Sequence, residues 1–312
     1  MTTTTPITPT TPSGGQPTKP PTKPPTKPLG RPFGRSGLTS RGVANAVILI
    51  AALYTMMPAL WLLFASTKNA DALFGSDIFS LGDFSLSRNL SDLFAMDGGL
   101  YGEWYLNSLL YAVGGALVGS LISVSAGYAF DKYEFRHKEK LFGLVLTGVM
   151  VPQTVLALPL YLVASEIGLV NTFWAVFVPV LFNPFGVYLA RLLSSGYVPN
   201  EVLEASRVDG AGELQTYVRV SLRMLGPGFV TVFLFQLTAI WNNFFLPMVM
   251  LSDQHLYPLS LGLYTWNSSA TVSPEYYPLV VIGSLLAVVP LIVAFVTLQR
   301  YWKSGLTAGS IK

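Results

Sequence analysis

Residues 278–298 read PLVVIGSLLAVVPLIVAFVTL, a stretch without one charged side chain. At 1.5 Å per helical residue it covers about 30 Å, the thickness of a bilayer's hydrocarbon core. Five further uncharged apolar runs precede it: Ala44 to Ser66, Tyr105 to Phe130, Leu141 to Ala164, Thr172 to Ala190 and Phe229 to Leu251. Barrel strands would alternate lipid-facing and lumen-facing residues over pieces of about ten residues, whereas these runs are continuous, so helices are expected. The expected fold is therefore all-α, a polytopic membrane protein with six transmembrane helices.

Composition agrees with lipid as the solvent. Hydrophobic residues make up 51% of the 312 positions and charged residues 11%, against about a quarter charged in soluble domains. A net charge of +3 is too small for a nucleic-acid surface, so no nucleic-acid partner is expected. The chain has no cysteine, which excludes disulfides and thiolate metal ligands. Its two histidines, His137 and His255, lie in different polar connections without a partner at metal-ligand spacing and read as solvated loop residues. Residues 1–43 form an expected disordered cytoplasmic tail, because the Pro-Thr-Lys-Pro units around Lys19, Lys23 and Lys27 favour extended conformations that bury no core. The basic residues from Lys19 to Arg41 also offer weak attraction to lipid headgroups. Residues 44–312 form the expected membrane domain.

Orientation follows from the basic residues. Threaded through six spans, all of the 19 Lys and Arg fall on one side except Lys68 and Arg88. The positive-inside rule then places both termini in the cytoplasm. Polar residues inside the runs must find partners or face a cavity. Asn107, Gln153, Gln236, Asn242 and Asn243 admit either interhelical hydrogen bonding or a polar translocation path; Asn107 suits the first, while Asn242, Asn243 and Gln153 are candidates for the path, since the adjacent amides of Asn242 and Asn243 point to different helix faces and both need satisfaction. Pro152 and Pro159 are expected to bend the third run.

The interval between the fourth and fifth runs is the most informative polar stretch. From Val198 it reads VPNEVLEASRVDGAGEL, with Asn200 as candidate N-cap, Glu201 beside the positive helix end and Gly210 as a left-handed stop. Leu214, Tyr217, Val218, Ser221, Leu222 and Leu225 then recur at helical spacing. Two short helices bent at a glycine make either a cytoplasmic helix-turn-helix protrusion over about 198–226 or an amphipathic element lying on the membrane.

Glu204-Ala205-Ser206, three residues, Gly210, nine residues, Val220, one residue and Leu222 resembles the Glu-Ala-Ala loop of binding-protein-dependent ABC import permeases. There the pattern is Glu-Ala-Ala-x3-Gly-x9-Ile-x-Leu-Pro; Ser206, Val220 and Arg223 depart from it, and Pro227 stands close enough to supply the missing break. Asn107-Ser108-Leu109, Ala126 to Phe130, Trp241 to Phe244, Gln299 to Tyr301 and Ser304 to Gly309 are similar to the carbohydrate-uptake branch, most of all to the smaller permease subunit of maltose-type transporters. The resemblance implies that Glu204, Ala205, Ser206, Arg207, Asp209 and Gly210 couple this chain to a cytoplasmic ATPase. It also implies two such ATPase subunits carrying ATP and Mg, a second homologous permease, and an extracytoplasmic sugar-binding protein.

The chain has no Gly-x4-Gly-Lys-Ser/Thr loop with which to cradle nucleotide phosphates, so no cofactor and no enzymatic activity are expected of it. The competing reading is an ion-coupled secondary transporter or channel. Against that stands the absence of a carboxylate or basic residue inside the six runs.

Overall fold

The computed structural model describes residues 1–3, 37–81 and 84–308, the side chains of 37–41 and 302–308 excepted. Residues 4–36 of the expected tail lie outside the described residues, whereas 37–43 already belong to the first helix; Gly309, the last residue of the C-terminal motif, also lies outside them. Two compact units emerge, Met1–Thr55 and Met56–Lys312. The first holds the N-terminal part of helix α1 (Gly37–Ala65), whose side chains from Val43 to Leu60 are exposed wherever they are large and apolar. That surface suits lipid or another apolar partner, not water.

The second unit is built of helices, with no strand among its described residues. Short helices α2 (Ala70–Gly75) and α3 (Leu86–Ala95) follow α1. Lys68, between α1 and α2, is buried, its Nζ donating to the carbonyls of Asp77 and Ile78 after α2 at 2.6 and 3.4 Å. Next come α4 (Leu100–Leu109), a π-helical turn over Leu110–Gly114 and α5 (Gly115–Lys132), which run on as one apolar helix. Then follow α6 (Lys138–Met150), α7 (Gln153–Glu166), α8 (Phe173–Val180) and α9 (Pro184–Tyr197). The chain continues through α10 (Asn200–Val208), α11 (Glu213–Thr216), a second π turn over Tyr217–Ser221 and α12 (Leu222–Met224). It closes with α13 (Gly226–Trp241), α14 (Phe245–Met250), α15 (Leu259–Ser269) and α16 (Tyr276–Ala308).

Four of the six expected runs appear as helices long and apolar enough to cross a bilayer: Gly42–Ala65, Leu100–Lys132, Phe173–Tyr197 and Tyr276–Tyr301. The other two are not straight. The run Leu141 to Ala164 breaks at Val151 and Pro152 into α6 and α7, which meet at 104°. Pro152 lacks the N–H a continuous helix needs, and its ψ of 132° is extended. The run Phe229 to Leu251 is helical only to Trp241; Asn242 to Phe244 interrupt it before α14. With 16 residues α13 covers about 24 Å, and it meets the α11–α12 segment at 74° across Leu225. Pro227 sits in the first turn of α13, at the expected break.

Small residues bring the long helices together, as they do where lipid gives helices no hydrophobic reason to associate. A Cβ on Gly127 of α5 would lie 2.5 Å from the Cβ of Ala190 on α9. One on Gly119 would strike the Gln236 amide of α13, so Gly119 leaves room for that buried side chain. Gln236 spends its polarity internally, donating to the Val180 carbonyl at 2.9 Å and facing Ser120 Oγ at 3.4 Å. Apolar burial concentrates in two clusters: one around Tyr101, Trp104, Tyr111, Trp241 and Ile282, the other around Tyr128, Ala190, Leu203, Leu225 and Val232.

Candidate functional site

The second cluster underlies the glycine-bent loop. Helix α10 begins at Asn200, but Pro199 holds the cap position in extended geometry (φ −64°, ψ 145°), so Asn200 is not the N-cap that its residue type suggests. Its Oδ1 instead accepts from Lys132 Nζ at 3.2 Å, joining α10 to the end of α5. Helix α10 stops where expected. Gly210 is left-handed at φ +79°, and the Ala211 and Asp209 amides close the end on the Ser206 and Ala205 carbonyls, each at 3.0 Å. Across the turn Arg207 Nε donates to Glu213 Oε1 at 2.9 Å, and the carboxylate holds the guanidinium's pKa above its ordinary value. Both groups are half exposed, so the pair contributes little to stability.

Burial divides the loop into an anchored face and a presented one. Leu203 points into the cluster, whereas Glu204, Ala205, Arg207, Asp209 and Gly210 are exposed and Ser206 is half-buried, its Oγ bonded to the Val202 carbonyl at 2.9 Å. The expected apolar face of the second helix is corrected in part. Ser221 and Leu225 are buried, but Leu214 and Val218 are 76% and 50% exposed, and Thr216 is buried in their stead. The π turn over Tyr217–Ser221 adds a residue to one turn and rotates what precedes it, a shift that counting at helical spacing misses. With Val208, 88% exposed, these two side chains make an apolar rim around the charged tip.

The anchored face is wired to the long helices. Ser221 Oγ donates to the Tyr128 hydroxyl at 3.1 Å, and the Tyr217 hydroxyl lies 2.7 Å from Ser125 Oγ, both partners being on α5. The Tyr128 ring packs against Tyr217 and Tyr133 with centroids 4.9 and 5.7 Å away. Burial, with Tyr128 and Glu213 beside it, pushes the Tyr133 hydroxyl up to about 12, so it stays protonated at any physiological pH. On α9, Arg191 lies 4.1 Å over the Phe142 ring and reaches both Glu139 oxygens at 2.7 and 3.3 Å, which lowers the Glu139 pKa.

The three path candidates do not form one site through hydrogen bonds among the described residues. Gln153 is the exposed first residue of α7, just past the 104° break. Asn242 is exposed and donates to the Thr238 carbonyl at 2.9 Å. Asn243 is half-buried and caps α14: its Oδ1 accepts from Leu246 N at 3.3 Å and its carbonyl from Ser260 Oγ at 2.9 Å.

Sequence reasoning missed a strap over residues 251–258, where α14 gives way to irregular backbone. Side chains of α4 and the turn after it hold its carbonyls: Trp104 Nε1 donates to Gln254 at 2.8 Å, Asn107 Nδ2 to His255 and Tyr257 at 2.7 and 3.1 Å, and the Tyr111 hydroxyl to Leu256 at 3.2 Å. Ser108 Oγ accepts from Leu259 N at 2.7 Å, and Asn171, left-handed at φ 60°, accepts the Ser252 and Asp253 amides. Trp104, Asn107, Ser108 and Tyr111 stand at i, i+3, i+4 and i+7, a polar-tipped stripe that was there to be read. His255 is exposed in a connection, as expected, and in addition pairs with Glu103 at 2.6 Å, which raises its pKa.

The family described as "Binding-protein-dependent transport system inner membrane component" matches residues 119–307. The arabinooligosaccharides transport system permease protein AraQ of Halalkalibacterium halodurans is 32% identical over 84% of this chain and 92% of its own. The lactose transport system permease protein LacG of Rhizobium radiobacter is 27% identical over 86% and 96%. Among solved structures, a bacterial ABC transporter involved in import of the acidic polysaccharide alginate matches with a TM-score of 0.72 at 22% identity, covering 87% of this chain and all of that one.

Proposed function

Since the chain belongs to the family of binding-protein-dependent transport system inner membrane components, we propose that it is the permease subunit of an ATP-driven importer of di- or oligosaccharides. The relatives named above are permease proteins of sugar transport systems, which supports the substrate class and not an ion-coupled carrier. In this reading the four long helices, the bent pair α6–α7, and α13 continuing into α14 make six spans, and the distribution of basic residues supports a cytoplasmic side for both termini and the 198–226 loop.

The observation that carries the mechanism is the loop's two-faced build. Its charged tip and apolar rim are exposed as a docking surface, while Leu203, Tyr217 and Ser221 tie it to α5. In this reading Glu204, Ala205, Ser206, Arg207, Asp209 and Gly210 engage one of two cytoplasmic ATPase subunits, where ATP and Mg are bound and hydrolysed. ATP-driven closure of that pair moves the loop, and the tyrosine contacts pass the displacement to α5 and α9. This rocks the subunit against a second, homologous permease. An extracytoplasmic binding protein delivers the sugar to the opened cavity, and Asn242, Asn243 and Gln153 are its candidate polar lining.

Reversing the tip charge tests the coupling. Glu204→Lys in the assembled complex is expected to lower substrate-stimulated ATP hydrolysis by about tenfold or more, a loss on the scale of a close interfacial charge contact, while the permease still folds. Unaltered ATPase association and stimulation would remove the loop from the mechanism.

A further inference from the structure

Resting on the import reading, we infer that Phe244, Tyr264, Asn242 and Asn267 form a strip on this subunit that contacts an uncharged saccharide in transit. The argument starts with what the strip cannot face. Asn242 interrupts an apolar run at membrane depth, its amide nitrogen is satisfied within its own helix, and no described residue donates to its carbonyl oxygen. Irregular backbone and unmet polar groups do not survive against lipid tails; they persist only against protein or a water-filled cavity. Asn242 is nevertheless exposed on this chain.

Beside it stand two aromatic rings that the fold leaves uncovered. Phe244 is 38% and Tyr264 46% exposed, with ring centroids 5.1 Å apart and planes inclined by 31°. Helix α15 buries Leu259, Leu261, Gly262 and Trp266 on one side, and Gly262 sits so close to Trp104 that a Cβ there would overlap the indole. The opposite side presents Tyr264, Asn267 and Ser268, about one turn apart. Neither the Tyr264 hydroxyl nor the Asn267 amide has a hydrogen-bond partner among the described residues. Apolar ring faces flanked by a few free amides and a hydroxyl match a sugar ring, whose C–H faces are apolar and whose rim is hydroxyl groups.

Charge narrows the ligand. No Lys or Arg occurs between Arg223 and Arg300. Of the two basic residues expected on the extracytoplasmic side, Lys68 is buried against carbonyls, and Arg88, exposed beside Asp92, belongs to α3 and not to the strip. A uronic-acid polymer would find no cation on the strip to neutralise it, whereas a neutral saccharide needs none.

The test uses the complete importer in proteoliposomes, supplied with labelled maltotriose, lactose, arabinotriose or trimannuronate. The parent complex is expected to carry a neutral sugar and not the uronate. Tyr264→Ala and Phe244→Ala are each expected to lower neutral uptake roughly tenfold, while Tyr264→Phe keeps most of it. Subunit stoichiometry stays at parental level. If the parent carries none of the four, the import reading and the strip fall together. If it carries neutral sugars but uptake by the alanine variants is unaltered, or they lose the second permease, or Tyr264→Phe is as damaging as Tyr264→Ala, the strip alone falls. Uptake of trimannuronate by the parent overturns it as well.

Discussion

At the scale of single residues, Gly210 shows how one backbone angle sets the loop's form. Its φ of +79° lies where side chains with a Cβ are strained, yet no atom stands within 4 Å of the position a Cβ would take. Any penalty for substitution therefore comes from the backbone alone, about 1–3 kcal/mol. Gly210→Val is expected to cut sugar-stimulated ATP hydrolysis severalfold, whereas Gly210→Asn, which tolerates the left-handed region, keeps most of it. Equal activity of the two variants would show that the turn does not set the docking angle. This turn was legible because glycine chemistry is local. The role of Asn200 was not, since Pro199 fills the cap position and the amide's partner, Lys132, lies 68 residues away.

At the scale of elements, sequence foretold where helices would fail better than how. Pro152 announced a bend, but not its 104° or that α7 would pack against α14, a contact no local pattern contains. The stripe from Trp104 to Tyr111 could be read, but not what it holds, because the strap carbonyls it satisfies lie some 145 to 150 residues later. That clamp also gives the strap a pH dependence. Glu103 holds the His255 pKa above 6.5, with Asp253 adding to the effect. The ion pair's contribution is therefore complete below about pH 6.5 and is lost as pH rises through the raised value. The thermal midpoint of the purified chain, followed from about pH 6 to about pH 9, is expected to exceed that of Glu103→Gln most at the acid end. A gap that stays constant or widens with pH would contradict the pairing.

At the scale of the whole molecule, the absence of cysteine makes the proposed orientation directly measurable. Val208→Cys, at an 88% exposed site on the loop, is expected to react with an impermeant maleimide only from the cytoplasmic side. Ser268→Cys, exposed on α15, is expected to react only from outside. Labelling of both from one side would invert or break the six-span threading. The two buried clusters carry a longer consequence. The residues around Tyr128 and Leu203 that seat the loop are not those around Trp104 and Trp266 that back the strap and α15. Changes at sites that share no neighbours act nearly independently. A lineage turning to a new nutrient can therefore remodel its mouth while inheriting its transmission intact.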